Sequence, residues 1–365
     1  MLKTFDEVFD DYTKYGTKIK TEQYHTVGTN IIIDQGQADI AGYTDQIDGL
    51  FKDVPVIVFG DHTRIIKYIN RPFFLGADGT KILKSKIPDA NYKYLYYALK
   101  NAKIPNTGYN RHFKWLKQIS ISYPEHQKQS MIVEILDKLE DSIGNYNTIL
   151  GLLDKLVKAR FIEMFGDPIV NDKGWQTKPL LDMGQCKNGM NFHYDDKGID
   201  INCLGVCDFK NFSVIDNTKG LPTVSLNEMP SEEYLLKDDD IVFVRSNGNK
   251  ALVGRSLVVY PGNVPTTFSG FCIRYRKYDN EIIVPYLLRV LKTDSVRMKM
   301  AGRGANIQNL NQQILGTLVI PVPPIELQQQ FADFVRQVDK SREAVKKSLE
   351  KTQQLYDSLM QEYFG

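Results

Sequence analysis

The apolar residues of positions 125–165 advance in steps of four and three. Ile132, Leu136, Leu139, Ile143, Tyr146, Leu150, Leu153, Val157, Phe161 and Met164 keep this spacing, with one stutter near Arg160. An a/d seam of this kind predicts a single long helix that pairs along one face with another helix. No proline interrupts it, and Pro124 stands just outside its start, where a helix tolerates the missing N–H. The last forty residues carry the pattern again: Phe331, Val335, Val338, Arg342, Val345, Leu349, Thr352, Tyr356, Leu359 and Tyr363, with Arg342 and Thr352 as polar members. Both stretches open on proline, glutamate and glutamine (Pro124-Glu125-His126-Gln127 and Pro324-Ile325-Glu326-Leu327-Gln328). They also close alike, on Glu163-Met164-Phe165-Gly166 and Glu362-Tyr363-Phe364-Gly365.

A block with strand character precedes each helix. In residues 1–124, positions 31–33 and 55–59 are short runs of β-branched residues, as buried strands are. Gly36, Gly42, Gly49 and Gly60 read as turns between them. Positions 73–79 read as a strand running into a turn, and 92–100 as a short helix. Residues 166–324 follow the same course. Positions 240–244 answer 54–59, positions 267–271 answer 73–77, and positions 285–292 answer 92–100. Gly304-Ala305-Asn306 with 318–321 answers Gly108-Tyr109-Asn110 with 119–123. Order, helix starts and helix ends agree, so the chain reads as one globule-plus-helix unit duplicated: globules at 1–124 and 166–324, long helices at 125–165 and 325–365.

Composition adds boundaries. With 365 residues, 42% hydrophobic and mean hydropathy −0.32, the chain suits two or three soluble domains. No apolar run approaches the ~18–20 residues of a membrane span, and Met1-Leu2-Lys3-Thr4-Phe5-Asp6 does not read as a signal peptide. Cys186, Cys203, Cys207 and Cys272 lack metal-ligand spacing and read as reduced core thiols of a cytoplasmic protein. Charge is uneven: residues 1–124 hold 17 basic against 13 acidic groups, residues 166–324 hold 18 against 17, and the two helical stretches are net acidic. A phosphate-binding surface therefore belongs on the globules, and the helices suit protein partners.

Four loops carry the chemistry of nucleic-acid contact. Residues 60–67 place His62, Arg64 and Lys67 at a turn, and 107–112 combine Tyr109, Asn110 and Arg111. In the second block, Arg245, Asn247, Asn249 and Lys250 fall in one loop, and Arg303, Asn306 and Gln308 in another. Arginine reads guanine and Asn or Gln reads adenine bidentately, while lysine holds phosphate. The plainer reading makes the Gly-Asn and Arg-Gly segments solvated turns. Enzyme signatures are missing: no GxxxxGK[ST] loop, no Asn/Asp-Pro-Pro-aromatic motif, no HExxH and no GxSxG. His62 and His193 read as satisfied polar residues.

In order and spacing, the chain resembles the specificity subunits of Type I restriction–modification systems over essentially its full length. The segments that carry the resemblance are Asp34-Gln35-Gly36-Gln37 through Ala41-Gly42-Tyr43-Thr44, then Val56 through Arg64, then Phe74-Leu75-Gly76-Ala77-Asp78-Gly79. In the second half they are Phe165-Gly166-Asp167-Pro168 with Gly174-Trp175, and Arg245-Ser246-Asn247-Gly248-Asn249. The resemblance implies an α+β fold: two β-rich target-recognition domains separated by two long helices that pair as an antiparallel coiled coil. It implies a non-catalytic, bacterial or archaeal subunit that binds double-stranded DNA at a split target. Its partners would be two methyltransferase subunits and restriction/translocase subunits, which would hold the S-adenosylmethionine, ATP and Mg; no cofactor or metal is expected on this chain, and no membrane. A coiled-coil scaffold whose two globules bind protein or glycan is the other reading the residues leave open. The first block is the shorter, at 124 residues against 159, which implies trimmed reading loops.

Overall fold

The computed structural model describes residues 1–76, 78–192, 197–210, 213–301 and 309–365. They form two compact units, one of Met1–Ile149 with Ala344–Gly365 and one of Leu150–Glu343.

The first unit carries the strands β1 (Leu2–Thr4), β2 (Phe9–Asp11), β3 (Asn30–Ile33), β4 (Gly42–Thr44), β5 (Val56–Gly60), β6 (Ile66–Ile69), β7 (Phe73–Leu75), β8 (Thr80–Ser85) and β9 (Ser120–Ser122). Its short helices are α1 (Phe5–Val8), α2 (Tyr92–Lys100) and α3 (Phe113–Leu116), and the long α4 (His126–Phe165) starts here. β2-β8-β5-β6 form an antiparallel sheet; β4-β3-β7 form a second, with β3 and β7 parallel. β5 is buried at every position because both faces are covered. Ile57 and Phe59 join a core with Tyr94, Leu95 and Leu136, whereas Val56 and Val58 join one with Ile31, Phe73 and Leu75. α2 begins where the Asn91 side chain accepts the Tyr94 N–H at 3.1 Å, the usual work of an asparagine N-cap.

The second unit repeats this plan. Its strands are β10 (Thr177–Pro179), β11 (Gly184–Asn188), β12 (Ile199–Leu204), β13 (Val214–Ile215), β14 (Thr223–Leu226), β15 (Asp240–Val244), β16 (Ser256–Val259), β17 (Thr266–Phe268), β18 (Cys272–Lys277) and β19 (Val319–Pro321). Its helices are α5 (Val284–Leu291), α6 (Asp294–Ala301) and α7 (Gln312–Gly316), followed by the long α8 (Ile325–Phe364). The order β11-β18-β15-β16 matches β2-β8-β5-β6, with β13 added at the edge, and β14-β12-β17 matches β4-β3-β7 down to the parallel pair β12·β17. β10 pairs with β19 as β1 pairs with β9.

The duplication reaches single hydrogen bonds. Tyr94 donates its hydroxyl to the Ser122 carbonyl at 2.6 Å, and Tyr286 donates to that of Pro321 at 3.0 Å. Gln129 Nε2 donates to the Pro124 carbonyl at 2.8 Å, and Gln328 Nε2 to that of Pro323 at 2.7 Å. These glutamines sit one turn inside the two long helices and fasten each helix start to the chain that leads into it.

The long helices bear out the seam: every a/d position read from the sequence is buried or half-buried. In the second unit Phe161 and Phe165 pack on Phe331 with ring centroids 5.5 and 5.6 Å apart, and Arg342 pairs with Asp154 at 2.7 Å. As one helix ascends its partner descends, so the pairing is antiparallel. In the first unit Tyr356 of α8 joins the core that holds Ile132 and Leu136 of α4. Gly166 ends α4 at φ +74° with its N–H on the Ile162 carbonyl at 2.8 Å, the left-handed C′ position that favours glycine.

Two details differ from the sequence reading. Gly42 and Gly60 lie inside strands; a Cβ on Gly60 would stand 2.9 Å from Gln35 Cβ, so glycine there serves close packing. Cys207 is exposed and Cys186 half-buried, so only Cys203 and Cys272 are buried thiols. Among the described residues no helix is long and apolar enough to cross a membrane.

Gln328 is fully buried, and its Oε1 also accepts the Ile283 N–H at 2.9 Å while Nε2 reaches Glu281 O at 2.8 Å. Gln328→Ala would strand three backbone groups, and we expect it to cost about 3 kcal/mol of unfolding free energy in a denaturant titration. A loss below ~0.5 kcal/mol would show that the clamp does not hold the helix start.

Candidate nucleic-acid interface

In both units the residue that leaves the central strand ties three loops together through its backbone. Asp61 follows β5. Its N–H donates to the Gly79 carbonyl at 2.7 Å, and its carbonyl accepts the His112 N–H at 2.8 Å. Arg245 follows β15, donates to the Phe271 carbonyl at 2.7 Å and accepts the Leu310 N–H at 2.8 Å. The same end of the same sheet therefore gathers the turn after the central strand, the turn between β7 and β8 or β17 and β18, and the segment before α3 or α7.

In the first unit side chains tighten this knot. Asp61 Oδ1 accepts the Phe113 N–H at 2.7 Å, and buried His112 places Nδ1 3.0 Å from the Asp61 carbonyl. A carbonyl can only accept, so Nδ1 carries the proton and Nε2 faces Thr107 as acceptor, 3.3 Å from Oγ1. Gln35 joins from the β3 side: Oε1 accepts the His62 N–H at 3.1 Å, Nε2 donates to Asp78 O at 2.9 Å, and its carbonyl accepts the Thr63 hydroxyl at 2.6 Å. On this base stands Tyr109, 86% exposed, its ring stacked on His62 with centroids 4.7 Å apart and planes 9° from parallel. Arg111 is exposed beside it. The Lys18 ammonium, 2.5 Å away, holds the Asp78 carboxyl below the usual range, with the Arg111 charge as a lesser cause. Arg64 adopts φ +64° and lays Nη1 3.3 Å from the Ile104 carbonyl, half-buried.

The second unit furnishes the same frame differently. Arg245 Nη1 donates to Gly270 O at 3.3 Å, which turns the guanidinium along the loop. Asn247 Oδ1 accepts the Asn249 N–H at 2.8 Å, and Asn249 Oδ1 accepts the Ala251 N–H at 3.1 Å. Lys250 is exposed at the tip, and Phe271, 60% exposed, is the aromatic of this surface.

His62, Arg64, Tyr109, Asn110 and Arg111 are thus brought together, as are Arg245, Asn247, Asn249 and Lys250. Arg303, Asn306 and Gln308, like His193, lie outside the described residues. Lys67 is a correction: it belongs to strand β6, and its side chain is 5% exposed. Its ammonium donates to the Ala38 carbonyl at 2.6 Å and sits 3.8 Å from Asp34. Burial pushes its pKa down against the pull of Asp34 and Asp39, and its ammonium is engaged on Ala38 and Asp34 rather than presented at the turn. Asn110 Nδ2 is engaged too, on the Thr107 carbonyl, so the described asparagines shape turns. His62 is not satisfied by hydrogen bonds, since its buried Nδ1 finds no partner among the described residues; stacking on Tyr109 fixes its ring. Asp61, His112 and Phe271 escaped the sequence reading, because contacts among distant segments give them their roles. The available signal was that Asp61 and Gln35 both lie inside segments that resemble the family.

Asp61→Ala keeps the backbone knot but removes the acceptor for Phe113. We expect amide exchange in residues 107–113 to quicken about tenfold while β5 is unchanged. Unaltered exchange would mean that the carboxylate does not hold the loop.

Comparison with known proteins agrees with this architecture. Residues 2–153 and 172–354 match the Type I restriction modification DNA specificity domain. The EcoR124I/EcoR124II specificity subunit of Escherichia coli is 21% identical over 355 residues, covering 91% of this chain and 84% of that one. The StySPI specificity subunit of Salmonella potsdam is 26% identical over 242 residues, 60% of this chain and 50% of its own. The crystal structure of the Type I restriction-modification S subunit from M. genitalium superposes with a TM-score of 0.61 at 19% identity, over 100% of this chain and 96% of that one. Two β-rich globules on one frame, a knot of loops built twice and a match across both halves place this chain in the family of Type I restriction–modification specificity subunits.

Proposed function

We propose that each globule reads one half of a split duplex DNA target through its knot of loops, and that the paired helices carry two methyltransferase subunits, joined in turn by restriction/translocase subunits. The observation that carries this reading is the pairing of one backbone plan with two sets of side chains. Asp61 and Arg245 make equivalent backbone bonds, yet the first site displays His62, Tyr109 and Arg111 and the second Lys250 and Phe271. Two different half-sites call for that divergence; a scaffold that binds one kind of partner does not. Exposed aromatics offer faces for bases or sugars, and the cations reach phosphate.

The functional boundaries we assign are 1–124 and 166–324 for recognition, with 125–165 and 325–365 for assembly. Apolar residues on the outside of α4 support the assembly role: Met131 and Ile135 are 59% and 38% exposed, and Leu152 and Leu156 are 56% and 47% exposed. They stand four residues apart, on one face of the helix in each case. In this reading the chain itself transfers no methyl group and cuts no DNA. S-adenosylmethionine, ATP and Mg belong to the partners, and the complex works in the cytoplasm, where its DNA is.

Salt dependence tests the division of labour. In the assembled complex, Lys250→Ala or Arg111→Ala should weaken DNA binding and lower the log–log salt slope by about 0.9 for each phosphate that the variant no longer neutralises. Lys67→Ala should leave the slope unchanged, because its ammonium is buried. Leu156→Asp should reduce capture of the methyltransferase subunit and leave DNA affinity of the chain alone unaltered. Equal slope changes for Lys67 and Lys250, or a drop in DNA affinity from Leu156→Asp, would refute the assignment.

A further inference from the structure

Two carboxylates near the start of α4 collect four side chains from two other helices, all inside the first unit. Tyr97 sends its hydroxyl to Asp137 Oδ1 at 2.7 Å, with Glu140 Oε2 at 3.0 Å. Lys93 donates to Asp137 at 2.6 Å, Lys100 to Glu140 at 2.5 Å, and the Tyr356 hydroxyl of α8 to Glu140 at 2.9 Å. Lys93, Tyr97 and Lys100 lie four and three residues apart on α2, and Asp137 and Glu140 three apart on α4, so each set shares a face. Tyr97 is 1% exposed. Burial first, then the two carboxylates, keep its hydroxyl protonated, which lets it donate.

The position of this cluster gives it a mechanical meaning. Just before it, Ile132 and Leu136 are buried among Tyr94, Leu95 and Leu99, so apolar packing holds globule and helix together there. Beside it lies a cavity of about 450 Å³, walled by Tyr68 and Arg71 as well as by Tyr97, Asp137 and Glu140. β6 faces α4 across that cavity, and the polar bonds from α2, which packs on β6, run to α4 beside it. Leu136 is the last fully buried residue of α4 in this unit, and the carboxylate pair lies just beyond it. α2 in turn packs on β5 and β6, whose connecting turn carries Asp61, His62 and Arg64.

The second globule does not repeat the device. When Tyr94 is matched to Tyr286 by their equivalent bonds to the closing strand, Arg289 takes the place of Tyr97, and its buried Nε has no partner among the described residues.

We propose that Tyr97, Asp137 and Glu140 are positioning residues that fix the tilt of the first recognition globule on α4 and thereby hold the target's unread spacer to one length. The proposal rests on the bipartite reading given above. One base-pair step is about 3.4 Å, so a modest swing about Leu136 would bring the reading loops to the neighbouring step without disturbing the loops themselves. Removing these polar bonds should therefore relax spacer length and spare half-site sequence. A merely structural role would not produce that separation.

The test is to map methylated sites in cells whose complex carries wild-type chain, Tyr97→Phe, Glu140→Gln or Tyr356→Phe. For Tyr97→Phe we expect both half-site sequences unchanged and methylation at sites with a spacer one base pair longer or shorter raised about tenfold, the factor for losing one hydrogen bond to a charged group. Tyr356→Phe, which removes only the α8 arm, should raise it less. An assembled Tyr97→Phe complex with unchanged spacer, or with one half-site no longer read, would overturn the proposal. If Tyr97→Phe does not assemble, an unrelaxed spacer in both Glu140→Gln and Tyr356→Phe overturns it equally. Wild-type methylation at sites that are not bipartite would instead defeat the reading beneath it.

Discussion

A forty-residue helix presents about 60 Å of apolar stripe, and it is stable in water only when that stripe is covered. Here two such helices cover one another, and their outer stretches are taken into the globular cores. Phe161 and Phe165 close on Phe331 and Tyr286 in one unit; Ile132 and Leu136 join Tyr94 and Tyr356 in the other. Each globule is thus completed by pieces of both helices, and neither 1–124 nor 166–324 owns its core alone. That constraint accounts for the compact units dividing within the helices, at Ile149 and Glu343, while the sequence pattern changes at their starts.

On this frame the recognition surfaces follow from topology. A central strand buried on both faces must end somewhere, and its first free residue meets whatever loops the neighbouring strands bring. Asp61 and Arg245 occupy that place, and both answer with backbone groups. Backbone bonds ask little of residue identity, so aspartate and arginine can hold equivalent positions while the side chains around them diverge. A surface of this kind can change what it binds without changing how it is built.

The helices were legible because a period of 3.5 residues survives any local noise, and because Gly166 and Pro168 mark the stop. α2 (Tyr92–Lys100) matches the stretch read as a short helix, and β15 (Asp240–Val244) the stretch read as the counterpart of 54–59. The site was legible only as loops. Lys67 reads as a tip cation because it follows Arg64 closely, yet the β6 alternation of buried and half-buried residues turns it inward, onto Ala38. His112 looks like one more polar loop residue, but Asp61, fifty-one positions earlier, makes it a buried pin. Asn247 and Asn249 have the right chemistry for adenine, while the chain uses their oxygens to close its own turns. Such choices are made by tertiary contacts, and no local pattern announces them.

Two independent readers on one duplicated frame should be separable. Exchanging residues 166–322 for the matching segment of a relative, assembling the chimera with its methyltransferase and mapping the methylated sites would separate them. Independent readers give a target in which one half-site is replaced and the other is retained. A folded, assembled chimera in which both half-sites change, or neither does, would show that the two globules do not read independently.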